Sequence, residues 1–86
     1  MDIAKKISDA FELPYDVSLE IPKIIVLGDK QIYVENYLKL IEYKSEIIRL
    51  KYKSGIIEIS GTGFEINAIG DGNIILSGKI SAVKLI

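Results

Sequence analysis

The chain has 86 residues, close to half of them apolar, and its 12 acidic and 11 basic side chains leave one net negative charge. It contains no cysteine, histidine or tryptophan, which excludes disulfides, zinc–thiolate sites, thiol nucleophiles and any Ser–His or Cys–His arrangement. The balanced charge removes a global electrostatic case for nucleic acid, and the longest purely apolar run, Ile24 to Leu27, is far too short to span a bilayer.

Residues 2–12, "DIAKKISDAFE", read as a helix. Ile3, Ile7, Ala10 and Phe11 form one stripe at helical spacing, Asp2 is an N-cap, and Pro14 disfavours helical geometry at Leu13. So short a helix is marginal alone and needs a surface to pack on. No continuous apolar stretch of the secretory type precedes it.

After Pro14 the period changes to two. "VSLEI" (17–21) alternates apolar and polar residues until Pro22, which is unsuited to a central strand. "KIIVLG" ends at a turn over Gly28, Asp29 and Lys30. "QIYVEN", "YLKLIEY", "EIIRLKY", "GIIEIS", "GFEINAI", "NIILSG" and "KISAVKLI" follow as further strands. Turn signals stand at 44–45, 53–55, 61–63 and 70–72. Short strands at such spacing, without helical crossovers, predict an all-β antiparallel meander, sandwich-like or partly rolled, preceded by one short N-terminal helix. A chain of this length makes one domain, with the helix at 2–12 and the sheet at 17–86. A bulge near Leu40 and Ile41 would reverse the faces assigned to the residues after it.

Four Ile-Ile doublets interrupt the alternation: Ile24-Ile25, Ile47-Ile48, Ile56-Ile57 and Ile74-Ile75. Successive strand residues point to opposite faces, so each doublet places one large apolar side chain on each side of the sheet. The second face then needs cover from another layer, the helix or another chain. The candidate interaction residues are Ile24, Ile47, Ile56 and Ile75, with the helix stripe Ile3, Ile7 and Phe11.

Candidate chemistry is sparse. Glu58 and Glu65 would face each other across a turn at 61–63, but both alternate with apolar residues as on a solvated sheet face. "GTG" and "GDG" lack the following helix that a phosphate loop requires. Asp71 by itself is a poor cation site. We assign no catalytic, cofactor-binding or metal-binding residue. Arg49, Lys51 and Lys53 share one strand face and are the candidate anion-contact set, for a lipid headgroup, a glycan or single-stranded nucleic acid. Nearby Glu42 and Glu46, and the use of lysine to guard strand edges, favour a solvated face instead.

The order of "LPYDV" (13–17), "IPKIIVLG" (21–28), "IYVENY" (32–37), "IRLKYKSGIIEISG" (48–61) and "IILSGKISAVKLI" (74–86) resembles the YabP/YqfC-like sporulation proteins of endospore-forming bacteria, closest to the YqfC branch. The resemblance covers most of the chain. It implies a non-enzymatic structural or interaction role in building the spore, with no cofactor. It further implies a location in the mother-cell cytoplasm, at or near the membrane around the forespore. The expected partner is another copy or a sporulation membrane protein, so membrane association would be peripheral and through that partner. Nucleic acid is not expected.

Overall fold

The computed structural model describes residues 21–86; the helix expected at 2–12, with Ile3, Ile7 and Phe11, and all but the last residue of the strand expected at 17–21 lie outside them. Six strands follow: β1 (Lys23–Leu27), β2 (Gln31–Glu35), β3 (Lys39–Tyr43), β4 (Ile47–Tyr52), β5 (Gly55–Gly70) and β6 (Asn73–Leu85). They form one open antiparallel sheet in the order β1-β2-β6-β5-β4-β3. The all-β antiparallel expectation holds.

One expected hairpin is absent, and four segments read as separate strands form two. Residues 61–63 do not reverse the chain; β5 runs through them for 16 residues. "NIILSG" and "KISAVKLI" are likewise one strand, β6, of 13 residues. The two strands form a long ribbon, closed at one end by a two-residue turn at Asp71 and Gly72. Its register shifts between Ser60 and Gly61, between Thr62 and Glu65, and between Ile66 and Ala68. Bulges of this kind bend a strand and increase its twist. One end of the ribbon pairs with β2 through Ile74↔Val34 and Leu76↔Ile32. The other end pairs with β4 through Ile57↔Leu50 and Ile59↔Ile48.

Glycine permits the bend. A Cβ on Gly61 would overlap the carbonyl oxygen of Lys79 and stand 2.8 Å from the Phe64 ring. A Cβ on Gly78 (φ +150°) would also stand 2.8 Å from that ring. Phe64, 4% exposed, therefore lies over both glycines in space that side chains would otherwise fill.

The core occupies one face of the sheet. Ile32, Val34, Ile48, Leu50, Ile57, Ile59, Ile74 and Leu76 are fully buried, joined by Phe64 and Tyr37. Every one of the eight alternates with neighbours of lesser burial, as period two requires. Tyr37 arrives from the β2–β3 connection, where Asn36 takes a positive φ of 70° and donates its N–H to the Gly72 carbonyl at 2.8 Å. Burial pushes the Tyr37 phenol above its ordinary pKa.

Candidate functional site

The doublets resolve by register. Ile48, Ile57 and Ile74 are buried, so Ile47, Ile56 and Ile75 take the outer face as expected. Ile24 does not. It pairs with buried Val34 and packs against the core, and its neighbour Ile25 takes the outer face instead. The run from Ile24 to Leu27 is apolar throughout and has no period of its own, so only pairing with β2 fixes its phase.

The outer face is organised in rows across the strands. One is apolar: Ile25 opposite Tyr33, Tyr33 opposite Ile75, Ile75 opposite Ala68. The Tyr33 hydroxyl donates to Glu35 at 2.9 Å, leaving its ring between the two isoleucines. Ile25, Tyr33 and Ile75 are each half-buried. Ile47 and Ile56 do not join this row. Ile47 lies opposite Ser60, and Ile56 opposite Lys51.

Between Ile47 and Ile56 runs a row of alternating charge: Glu42, Arg49, Glu58 and Lys84 on four successive strands. Arg49 donates Nε to Glu58 at 3.2 Å and a terminal nitrogen to Glu42. Lys44 reaches Glu42 at 3.1 Å. The register break between Leu40 and Glu42 creates this row. Without it Ile41, the next residue after the Leu40↔Leu50 pair, would face Arg49. The same break brings Tyr43 opposite buried Ile48, where its hydroxyl donates to the Phe64 carbonyl at 3.3 Å. The bulge expected near Leu40 and Ile41 is present, and it sets Tyr43 on the face of Leu40, where strict alternation would have put it on the face of Lys39.

This arrangement bears on the anion-contact set. Arg49 is held between two carboxylates. Lys51 Nζ donates to the carbonyls of Tyr52 at 2.7 Å and Gly55 at 3.3 Å, and Lys53 lies exposed in the β4–β5 turn. Glu58 and Glu65 are not a facing pair: both lie on β5, Glu58 opposite Arg49 and Glu65 opposite Ser77. Among the described residues, no group of three or more Asp or Glu could hold a metal ion. Removing the cation from the ladder, as in Arg49→Met, should cost about 1 kcal/mol, because Glu58 would lose its ion-pair partner and Glu42 would keep Lys44 alone. Urea melts at low and high salt test this: the loss should shrink at high salt and be partly restored by adding Glu58→Gln.

Away from this face, Asp29 in the β1–β2 turn meets Lys79 at 3.0 Å, and the hydrogen bond from Lys79 holds its carboxyl below the usual range. The carbonyls of Lys30 and Asp29 accept from the N–H groups of Gly78 at 3.0 Å and Ile80 at 2.7 Å, tying this turn to the bend of β6.

The molecule is thus a small antiparallel β-protein whose distinguishing surface features are an apolar row and a charge ladder on the outer face of one open sheet. It belongs to the YabP family, whose model matches residues 19–86. It is also 38% identical, over 77 residues, to the uncharacterized protein YqfC of Bacillus subtilis (strain 168), a match covering 90% of this chain and 83% of that protein. No solved structure matches. Among the described residues, no helix is long and apolar enough to cross a membrane.

Proposed function

We propose that this chain is a non-enzymatic interaction module of endospore formation, which binds another copy of itself or a membrane-associated sporulation protein through the outer face of its sheet. The observation that carries this reading is the row Ile25–Tyr33–Ile75–Ala68, three of whose members are large apolar side chains turned away from the core. Large apolar groups only half removed from water leave apolar surface whose further burial against a partner would be favourable. Membership of the YabP family and the likeness to YqfC support the sporulation setting. The site of action on this reading is the mother-cell cytoplasm, at the membrane around the forespore, reached through a protein partner.

The alternative, an anionic ligand on Arg49, Lys51 and Lys53, has less support, since Arg49 is already neutralised by Glu42 and Glu58. The test is a fluorescent fusion of the full chain in sporulating cells, as wild type and as Tyr33→Asp with Ile75→Asp. The wild type should gather at the forespore boundary on the mother-cell side. The double variant, if circular dichroism shows it folded, should be diffuse. A wild type diffuse in both compartments, or a folded variant that still gathers, overturns the reading.

A further inference from the structure

Among the described residues the sheet has two outer edges, β1 and β3, and they are built differently. The β3 edge carries Lys39 and Glu42 and is broken by a register shift. Charges and bulges are the usual guards against pairing with another chain. Where β5 and β6 overhang their outer partners they are guarded too, β5 by Glu65 and the shift between Ile66 and Ala68, β6 by Lys79 and Lys84. The β1 edge has neither device within its last four residues. It reads "KIIVL", its register with β2 is unbroken from Lys23↔Glu35 to Leu27↔Gln31, and Val26 and Leu27 are 44% and 54% exposed. Val26 is opposite fully buried Ile32, so an inward-facing core side chain is left partly wet at this edge.

We infer that β1 pairs edge to edge with β1 of a second copy, antiparallel, about a two-fold axis at Ile25. This rests on the interaction reading above and names the partner and the surface. The strand is self-complementary in that register. Ile24 falls opposite Val26 of the second copy, and Lys23 opposite Leu27 of the second copy, so no charge meets its like. Residues 24 and 26 have the same parity, so their N–H and C=O groups point the same way and meet those of the other copy. On the inner face the half-exposed Val26 is covered by the second copy's Ile24. On the outer face the apolar row continues unbroken, from Ala68, Ile75, Tyr33 and Ile25 into the same four residues of the second copy in reverse order. Three other positions could serve as edges, and each carries a charge or a break; this one joins two apolar rows.

A five-residue edge is small beside a standard interface of about 1,200–2,000 Å², so association should be concentration-dependent. The full chain measured by light scattering over a concentration series should rise from one chain towards two. Val26→Lys and, separately, Leu27→Lys, which sets a like charge opposite Lys23 of the second copy, should hold the mass at one chain while circular dichroism stays that of the wild type. The chain has no cysteine, so a single introduced thiol is unambiguous. Opposed residues in an antiparallel pair have Cα atoms about 4.5–5.5 Å apart, within the range a disulfide spans. Ile25→Cys should therefore oxidise to a covalent dimer at least ten times faster than Ile41→Cys on the β3 edge. A mass of one chain at every concentration, with equal slow oxidation of both thiols, overturns the inference and leaves a membrane-protein partner open. A dimer that survives Val26→Lys and Leu27→Lys and is not captured by Ile25→Cys places self-association elsewhere. Correct dimerisation with no forespore localisation would instead remove the sporulation reading and leave the edge contact standing.

Discussion

Gly61→Ala is expected to lower stability by at least about 3 kcal/mol, the upper end of the range for overpacking. The added methyl would have to occupy the position of the Lys79 carbonyl oxygen and crowd the Phe64 ring. The ring can turn or shift. The carbonyl cannot without parting β5 from β6, because Gly61 pairs with Ile80 and Thr62 with Lys79 at that point. Small domains have total stabilities towards the low end of about 5–15 kcal/mol, so the variant should be largely unfolded in mild denaturant. A urea titration followed by far-ultraviolet circular dichroism reads this directly. Adding Phe64→Leu should not restore the midpoint, since it leaves the backbone overlap in place. An unchanged midpoint for Gly61→Ala would mean that the two strands do not cross there.

The second large effect separates the members of one doublet. Ile74 is fully buried; Ile75, the next residue, lies half-buried on the outer face. Ile74→Ala should cost about 2–5 kcal/mol, the transfer energy of the lost atoms plus that of the cavity. Ile75→Ala should cost about 1 kcal/mol, as for an average substitution. Denaturant midpoints of the two variants, measured side by side, decide the matter. Equal losses would mean that both faces of this strand are core, and the apolar row would no longer be available to a partner.

Where the sequence alternates cleanly, the structure was legible. Ile57 and Ile59 about Glu58, and Ile48 and Leu50 about Arg49, announce their inner face through period two alone. The turn at Asp71 and Gly72 and the break near Leu40 were also visible locally. Three things were not. Gly61-Thr62-Gly63 suits a reversal and a bend equally, and what decides between them is pairing with β6, whose Gly78 bends at the same level. The phase of Ile24 needed Val34, ten residues away. The neutralisation of Arg49 needed the bulge, because a regular strand would have set Ile41 rather than Glu42 beside it. In each case the missing information belonged to a neighbouring strand.

The strand order also constrains when this protein can fold. From β3 onward each strand pairs with the next in sequence, so most of the sheet assembles from local hairpins. The β1–β2 hairpin is different: among the described residues its strand partner is the first half of β6, with Val34 opposite Ile74. Closing so long a loop costs more entropy than closing a tight turn and is repaid only once the distant contacts exist. Synthesis runs from the N-terminus, so the β1–β2 hairpin, made before β3, β4 and β5, must wait for β6. Throughout that interval Ile32 and Val34 have no β6 to lie against. That apolar hairpin stays uncovered by β6 on the nascent chain, and the sheet of the described residues is completed only when β6 has left the ribosome.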